Sequence, residues 1–280
     1  MQDKRTLLIT GVPRSGTTLC CHLMNSLRNT IALHEPIPSE RFNYLGKVEA
    51  VSMIKVFAED RRKEALASSK VQSKQSGGQI PSNPVMAGQG KLREEHVTLD
   101  YLKINKYLSP DFLLVIKHNA LFTSLLNDLL KDFRCYAIIR NPLATIASWQ
   151  TVDLPIHWGH IPMGEHFDKE LESKLSSLDS ILDRQIYILR WFFQAFEKYL
   201  DRSQVIRYED IIESRGRILS KITAQPFRCD SDLANHNASA NYRNLDIDAL
   251  LNRLIMEEDI FTGFYTVNDL KKLAKDMRTL

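Results

Sequence analysis

A glycine turn near the start of the chain has the residue types of a phosphate-binding loop. Residues 7–19 read LLITGVPRSGTTL, in which an apolar run leads into Gly11 and Gly16 and then into an apparent helix. The glycines allow the backbone to point amide N–H groups at one anion, and the helix adds the positive end of its dipole. The polar side chains that could complete this cradle are Arg14, Ser15, Thr17 and Thr18. The stretch therefore predicts an anion site.

The loop departs from the Walker pattern G-x-x-x-x-G-K-[ST] in one respect. Thr17 stands where that pattern has its lysine, and Arg14 lies inside the loop instead. Arginine suits phosphate or sulfate oxygens because its guanidinium is permanently charged and forked. The third and fourth apolar runs end in Lys117 and Arg140, so no strand-end aspartate is placed to hold magnesium. The pattern favours an anion site that works without a metal and disfavours a kinase.

A second candidate anion site follows the fourth apolar run. YAIIRNPLATIASW, residues 136–149, places Arg140 at the end of this run and Ser148 eight residues later. Because Pro142 suits the first turn of a helix, Ser148 is expected about two turns in. A phosphate alongside that helix could contact both side chains. Two separate anion sites suit a nucleotide that is phosphorylated at two places.

Together these segments resemble the sulfotransferases that use 3′-phosphoadenosine 5′-phosphosulfate (PAPS). GVPRSGTTL, residues 11–19, resembles the 5′-phosphosulfate loop of that family. RNPLATIAS, residues 140–148, resembles its 3′-phosphate motif, including the spacing from arginine to serine. RYEDI, residues 207–211, resembles an Arg-Tyr-Glu-Asp-Leu segment of bacterial members. Arg14, where the cytosolic enzymes have lysine, is closer to the tyrosylprotein and carbohydrate branches.

The resemblance implies a reaction and a set of ligands. The protein would transfer a sulfuryl group from PAPS to a hydroxyl or amine of an acceptor, leaving adenosine 3′,5′-bisphosphate, with no metal. The implied ligands of the 5′-phosphosulfate are Arg14, Ser15, Gly16, Thr17 and Thr18. The implied ligands of the 3′-phosphate are Arg140 and Ser148. Tyr208, in RYEDI, is expected near the nucleotide or in the core, and Arg243, in SANYR, in a loop that closes over the nucleotide.

Two residues are candidates for the general base that takes the proton of the acceptor hydroxyl. Glu35, in ALHEP, follows the second apolar run, and the resemblance gives it the role of the catalytic glutamate of the tyrosylprotein and some heparan-modifying enzymes. His118, in VIKHN, is one residue out of step with the Lys-x-His arrangement of the cytosolic branch. Glu35 is favoured. Lys117 and Arg14 would stabilise charge on the departing and transferring groups, and His34 should point away from Glu35 if strand alternation continues that far.

The hydrophobic pattern predicts the elements that would position these residues. Apolar runs alternate with helical patterns, which is typical of a three-layer α/β/α protein with a central parallel sheet and ligand sites beyond the carboxyl ends of its strands. The resemblance makes this the P-loop-like sulfotransferase fold. The predicted strands are 7–11, 31–33, 112–116, 136–139 and 205–207. The predicted helices are 17–27, 48–68, 121–130, 142–149 and 180–200.

The chain, residues 1–280, is predicted to form one domain with two polar lids, residues 68–90 and residues 152–167, that shape the acceptor pocket. Lysine and arginine exceed aspartate and glutamate by only 37 − 34 = 3, which argues against broad nucleic-acid binding. The four cysteines lack C-x-x-C spacing, so no zinc site is indicated. No signal peptide and no run of about 20 apolar residues is present, which predicts a cytoplasmic protein without a membrane partner.

Several alternatives stay open at this point. The polar lids, with His157, Trp158, His160 and His166, are compatible with a carbohydrate acceptor, and a lipid or polyketide-like acceptor is not excluded. A P-loop kinase of small molecules would depend on ATP and magnesium. A module that binds adenosine 3′,5′-bisphosphate without turnover would keep the cradle and lack transfer. The oligomeric state is not indicated by the sequence.

Overall fold

A parallel β-sheet forms the centre of the molecule. The structure, a computed structural model, describes residues 3–88, 92–227 and 232–279. The strands in that part of the chain are β1 (Asp3–Gly11), β2 (Thr30–His34), β3 (Lys70–Gln75), β4 (Val85–Ala87), β5 (Arg93–Glu95), β6 (Thr98–Lys103), β7 (Leu113–Lys117), β8 (Phe133–Ile139) and β9 (Val205–Arg207). The central sheet has the order β2-β7-β1-β8-β9, with each neighbouring pair parallel.

Helices flank this sheet. In the described residues they are α1 (Thr17–Met24), α2 (Lys47–Ser68), α3 (Ala120–Ser124), α4 (Leu126–Leu129), α5 (Pro142–Trp149), α6 (Pro162–Phe167), α7 (Lys169–Ser176), α8 (Ile181–Tyr199), α9 (Tyr208–Glu213), α10 (Ser220–Thr223), α11 (Ile247–Ile255) and α12 (Val267–Met277). Every residue of β2 and of β7 is buried, as continuous apolar strands covered on both faces require. The predicted α/β class with a central parallel sheet is confirmed.

Several predicted boundaries agree with the structure, and one predicted helix is divided. Helix α5 and strand β9 have the predicted bounds. The helix predicted for residues 121–130 is instead two short helices, α3 and α4, because Leu125 leaves the helical region with φ −106° and ψ 6°. Apolar spacing alone does not reveal such a break.

Residues 68–90, which the sequence predicted to be a polar lid, contain the strands β3 and β4. Strand β3 pairs antiparallel with β6, and β4 pairs antiparallel with β5. Alternate residues of β3, namely Val71, Ser73 and Gln75, are buried, so the strand has the usual two-residue period. Two of those three buried residues are polar, so the sequence shows no alternation of apolar and polar residues that would have predicted this strand. Residues 152–167 also contain regular structure, a 3-10 turn over Pro155–Trp158 and helix α6.

The parallel strands bring the candidate site residues to one edge of the sheet. Strands β1, β2, β7 and β8 all end there, and Lys117 pairs in register with Ile9 on one side and with His34 on the other. Glu35 and Arg140 come directly after the ends of β2 and β8. This edge is where open α/β sheets bind ligands.

The helices and the cysteines bear on two expectations from the sequence, which concern membrane spans and metal sites. None of the described helices is both long and apolar enough to cross a membrane. Cys20, Cys21 and Cys135 are buried free thiols, and Cys229 lies outside the described residues.

Candidate functional site

A cavity of about 850 Å³ lies at the carboxyl ends of the central strands, a volume in the range of small-molecule sites. The predicted site residues that line it are Arg14, Gly16, Thr17, Thr18, Glu35, Lys117, His118, Arg140 and Tyr208. Lining residues that sequence analysis missed include Lys74, Arg93, Glu95 and Tyr242. One cavity thus contains residues of both anion motifs and both candidate bases.

The first anion loop connects β1 to α1, and its contacts with Tyr208 and with β8 hold it in place. Gly16 has φ +88°, and a Cβ atom there would lie 2.7 Å from Cδ2 of Tyr208, so glycine lets the ring pack against the loop. Ser15 is fully buried, and its Oγ donates to the carbonyl oxygen of Ile138 at 2.7 Å. Ser15 therefore fixes the loop to β8, whereas Thr17 and Thr18 line the cavity.

The second anion motif surrounds the start of α5. The side chain of Asn141 caps this helix by accepting from the amide of Leu143 at 3.0 Å. The Arg140 guanidinium donates from Nη1 to the carbonyl oxygen of Arg14 at 3.1 Å, and it lies 5.0 Å from the ring centroid of Tyr208. Arg140 therefore joins the first loop, the second motif and the RYEDI segment.

A network of hydrogen bonds through Asn237 and Glu209 positions the guanidinium of Arg140. Its Nε donates to Oδ1 of Asn237 at 2.7 Å, and Nδ2 of Asn237 donates to Oε1 of Glu209 at 2.8 Å. Glu209 also accepts from the hydroxyl of Tyr265 at 2.8 Å and from the backbone amide of Asn141 at 3.0 Å. Sequence analysis missed Asn237 and Glu209, although the acid of RYEDI was the available signal for Glu209.

Arg14, Arg93 and Arg140, here called the arginine cluster, gather around Ser148. The buried Ser148 Oγ accepts from Nη2 of Arg93 at 3.3 Å and from Nε of Arg14 at 3.5 Å. Burial lowers the pKa of Arg14 to about 9, and the like charges of the other two arginines contribute. Within the described residues, no member of the cluster forms an ion pair with a carboxylate. A partly buried, uncompensated positive charge is the electrostatic requirement of an anion site.

The SANYR segment reaches the cavity through a different residue from the one predicted. Arg243 is exposed and is not part of the cavity lining, whereas Tyr242 is 2% exposed and lines it. Burial raises the pKa of the Tyr242 hydroxyl, but the nearby Arg140, Ser148 and Arg93 lower it by more. The turn Ala240–Tyr242 buries Tyr242, and Arg243 follows directly after it. The role predicted for Arg243 stays a prediction.

At the opposite side of the cavity, Glu35 lies between two lysines. Nζ of Lys117 donates to Oε1 at 2.6 Å, and Nζ of Lys74 donates to Oε2 at 3.1 Å. Lys117 is 2% exposed and Glu35 is 25% exposed by side chain, so Lys117 is not a solvated strand end and the carboxylate can be reached. Burial raises the pKa of Glu35, but its neighbours, with Lys117 the largest contributor, lower it by more, to well below the usual range.

The expectation that His34 and Glu35 point apart is wrong. Strand β2 ends at His34, and Glu35 has a left-handed φ of 43°, which turns its side chain to the same region. One ligand atom each of His34, Glu35 and Glu95 lie within 4.8 Å of one another, a spacing that a metal could use. Lys74 already binds both carboxylates, at 3.1 Å and 3.0 Å, so the charge that would attract a cation is largely compensated.

His118 lines the cavity but is held in a neutral form. Its Nε2 accepts from the backbone amide of Ile37 at 3.2 Å, which places the ring proton on Nδ1. The residue is 8% exposed, and burial lowers its pKa to about 3 although Glu35 acts in the opposite direction. The Nε2 atom is therefore occupied and weakly basic.

Comparisons with known proteins gave no family assignment. No protein-family model matches the chain, and no curated protein matches it. Among solved structures, the chain is similar to the sulfotransferase STF9 of Mycobacterium avium, with 13% identity, a TM-score of 0.37 and coverage of 100% of this chain and 78% of that one. It is also similar to the sulfotransferase STF1 of Mycobacterium tuberculosis H37Rv, with 12% identity, a TM-score of 0.33 and coverage of 99% and 77%. These values are too low to transfer a site or an activity.

Proposed function

We propose that this protein is a sulfotransferase that transfers a sulfuryl group from PAPS to a hydroxyl or amine of an acceptor. The observation that carries the proposal is the content of the main cavity. An arginine cluster without a carboxylate partner occupies one part of it, and the Glu35–Lys117 pair occupies another. The first feature suits a nucleotide with two phosphate groups, and the second suits proton transfer beside a departing anion.

The donor would bind in the cavity through two anionic groups, each held at the end of a strand. The loop before α1, with the backbone at Gly16 and the hydroxyls of Thr17 and Thr18, would hold the 5′-phosphosulfate. Arg140 and Ser148 would hold the 3′-phosphate, as the sequence predicted. The side chain of Arg14 extends from the first loop to Ser148, so it can serve either phosphate.

The reaction would be an in-line displacement at sulfur. The acceptor oxygen forms a bond to sulfur, the bond from sulfur to the 5′-phosphate oxygen breaks, and the acceptor proton passes to the carboxylate of Glu35. Lys117, 2.6 Å from that carboxylate, would stabilise the charge on the departing phosphate. Because Glu35 has a low pKa, it is always ionised but weakly basic, so its proton transfer should come late, when the acceptor oxygen is already bonding to sulfur.

The geometry around His118 favours Glu35 as the base. Nε2 of His118 is committed to the Ile37 amide, and its pKa is about 3, so it would need to lose a backbone hydrogen bond before it could take a proton. The carboxylate of Glu35 is partly exposed to the cavity and needs no such change. His118 is better explained as a support that fixes the chain after β2.

A smaller cavity of about 290 Å³ offers a place for the body of the acceptor. It shares Glu35, Lys74 and His118 with the main cavity, so it opens beside the proposed base. Its apolar wall consists of Ile37, Pro38, Phe42, Leu99, Leu121 and Met163. Sugar hydroxyls would lose water against this wall without gaining partners, which is costly. This favours an acceptor with an apolar part.

The lid, residues 152–167, also favours an acceptor with an apolar part. The lid residues that line the main cavity are Leu154, Pro155, Ile156, His160, Ile161, Pro162 and Met163. Trp158, one of the residues that suggested a carbohydrate, is 52% exposed and is not among them. Of the four residues that suggested a carbohydrate, His157, Trp158, His160 and His166, only His160 lines the main cavity.

The test begins with the donor, because an acceptor screen is interpretable only afterwards. Calorimetric titration with adenosine 3′,5′-bisphosphate without magnesium should show micromolar or tighter binding, and ATP with magnesium should bind more weakly. Preference for ATP with magnesium would replace the proposal by a kinase. Sulfur-labelled PAPS would then be incubated with hydroxyl compounds that carry apolar groups. Tight bisphosphate binding without transfer to any of them would favour the binding module that lacks turnover.

A further inference from the structure

We propose that Arg93 and Tyr242 complete the 3′-phosphate subsite and make the protein select nucleotides that carry a phosphate monoester at that position. Both residues lie outside the sequence motifs that indicated a phosphate. This inference rests on the proposed function, because it assigns further ligands to the donor that the function requires.

Arg93 is anchored to the end of α5 by its backbone. Its amide donates to the carbonyl oxygen of Thr151 at 3.0 Å, and its own carbonyl accepts from the amide of Asp153 at 2.8 Å. These two bonds make an isolated parallel bridge between Arg93 and Val152. The excursion that contains β4 and β5 is thereby fastened beside the helix that carries Ser148.

The side chain of Arg93 is aimed by the same helix end. Nη2 donates to Oγ1 of Thr151 at 2.6 Å and to Oγ of Ser148 at 3.3 Å, and Nε donates to the carbonyl oxygen of Thr151 at 3.3 Å. The guanidinium lines the cavity and has no carboxylate partner in the described chain. A fixed, forked donor without a counter-ion matches a phosphate oxygen.

Tyr242 reaches the same point from the other side of the cavity. Its side chain is 2% exposed, and it lines the main cavity together with Arg93 and Arg140. A 3′-phosphate in this part of the cavity would contact these three side chains. The hydroxyl therefore lies within the subsite, where it can donate one hydrogen bond to a phosphate oxygen.

The close spacing of the three arginines explains why the site would select a nucleotide with a 3′-phosphate over one with only a 5′-phosphate. Arg14, Arg93 and Arg140 repel one another in a partly buried place, and this repulsion contributes to the lowered pKa of Arg14. A dianionic monoester compensates that repulsion and accepts several charge-assisted hydrogen bonds at once. A nucleotide with only a 5′-phosphate leaves the cluster uncompensated, so it should lose much of the binding energy.

The test compares two nucleotides across matched variants. Calorimetry would give the affinities for adenosine 3′,5′-bisphosphate and for adenosine 5′-monophosphate. Arg93→Ala should weaken bisphosphate binding about 10- to 100-fold, the range for one lost charge-assisted hydrogen bond, and should leave monophosphate binding nearly unchanged. Tyr242→Phe should act in the same direction with a smaller loss. Arg278→Ala, at an exposed arginine that pairs with Asp248 and does not line the cavity, is the control and should change neither affinity.

Arg93→Lys and a spectroscopic titration separate ligation from folding. Lysine keeps the positive charge but lacks the two-pronged donor geometry of arginine. Arg93→Lys should therefore bind the bisphosphate more tightly than Arg93→Ala, even if alanine disturbs the segment that contains β4 and β5. Neighbours of the Tyr242 hydroxyl lower its pKa, although burial acts in the opposite direction; they are Arg140, Arg93 and Ser148. Arg14 and Tyr208 also interact with it. A bound phosphate should raise the pKa of the Tyr242 hydroxyl, so tyrosinate absorbance should appear at a higher pH. This shift should be absent in Tyr242→Phe.

The outcomes distinguish this inference from the proposed function. If the unmodified protein does not bind the bisphosphate, the proposed function is wrong before any variant is made. If it binds and Arg93→Ala weakens both nucleotides equally, or neither, the assignment of Arg93 is wrong and the proposed function stands. An unchanged tyrosinate signal on bisphosphate binding would overturn the assignment of Tyr242.

Discussion

Nζ of Lys117 lies 2.6 Å from Oε1 of Glu35, and the two side chains come from the ends of adjacent parallel strands. The lysine is almost completely buried, so its charge is held in place, whereas the carboxylate is partly exposed to the cavity. The pair therefore presents one ionised proton acceptor and one fixed cation at a single point.

Glu35→Gln should abolish sulfuryl transfer while leaving bisphosphate affinity nearly intact. The amide keeps the size of the side chain but cannot accept the proton, and loss of a general base costs roughly 10²- to 10⁴-fold in rate. Transfer rates and calorimetric affinities measured on the same preparation would check this. Glu95→Gln, which also removes a carboxylate bound to Lys74, is the matched control and should retain most of the rate. Full activity of Glu35→Gln with loss in His118→Ala would make His118 the base.

Arg140→Ala should weaken adenosine 3′,5′-bisphosphate binding by about 1.5–3 kcal/mol, which is roughly 10- to 100-fold. Its guanidinium faces the cavity and is preset by Asn237, so the loss is of a positioned charge. Calorimetry at two salt concentrations would show both the weaker binding and a smaller salt dependence. The control is Arg215→Ala, since Arg215 is exposed and paired with Asp232. Equal effects of the two substitutions would contradict a specific role for Arg140.

Gly16→Ala should destabilise the protein more than Gly77→Ala. Both glycines have positive φ, +88° and +61°, so alanine is strained at each by about 1–2 kcal/mol. Only at Gly16 does the new Cβ overlap a neighbour, the ring of Tyr208 at 2.7 Å, whereas nothing lies within 4 Å at Gly77. Denaturant unfolding would measure both costs. Gly16→Ala should also weaken bisphosphate binding, and a normal affinity would show that the loop tolerates a shift of Tyr208.

His118 should make stability fall as the pH is lowered from about 6.5 toward 3. Burial depresses the folded-state pKa from 6.5 to about 3, so in that interval the unfolded chain binds a proton that the folded protein does not. Stability is therefore fully present above pH 6.5 and declines below it, by at most about 1.4 kcal/mol per pH unit. Denaturant unfolding across this range would show a shallower decline in His118→Gln. Equal slopes in the two proteins would mean that His118 protonates without unfolding.

The local pattern of the sequence was sufficient for the central α/β fold and for the prediction that several candidate residues lie at one edge of the sheet. Helix α5 was predicted with its observed bounds because Pro142 and the apolar spacing lie within a few residues of each other. Arg14, Glu35, Lys117 and Arg140 each follow an apolar run and line one cavity, because parallel strands end at one edge of the sheet. Their proposed roles came from the family resemblance. Such signals depend on neighbours in the chain.

The tertiary structure decided the rest of the site. Lys74 and Arg93 enter the cavity because β3 pairs with β6 and because Arg93 bridges to Val152, pairings between distant segments of mainly polar composition. The choice of Tyr242 over Arg243, and the turn that brings Glu35 to the side of His34, depend on single backbone angles. These features were not readable from the sequence because they are set by long-range pairing and local dihedral angles, which leave no periodic pattern of residue types.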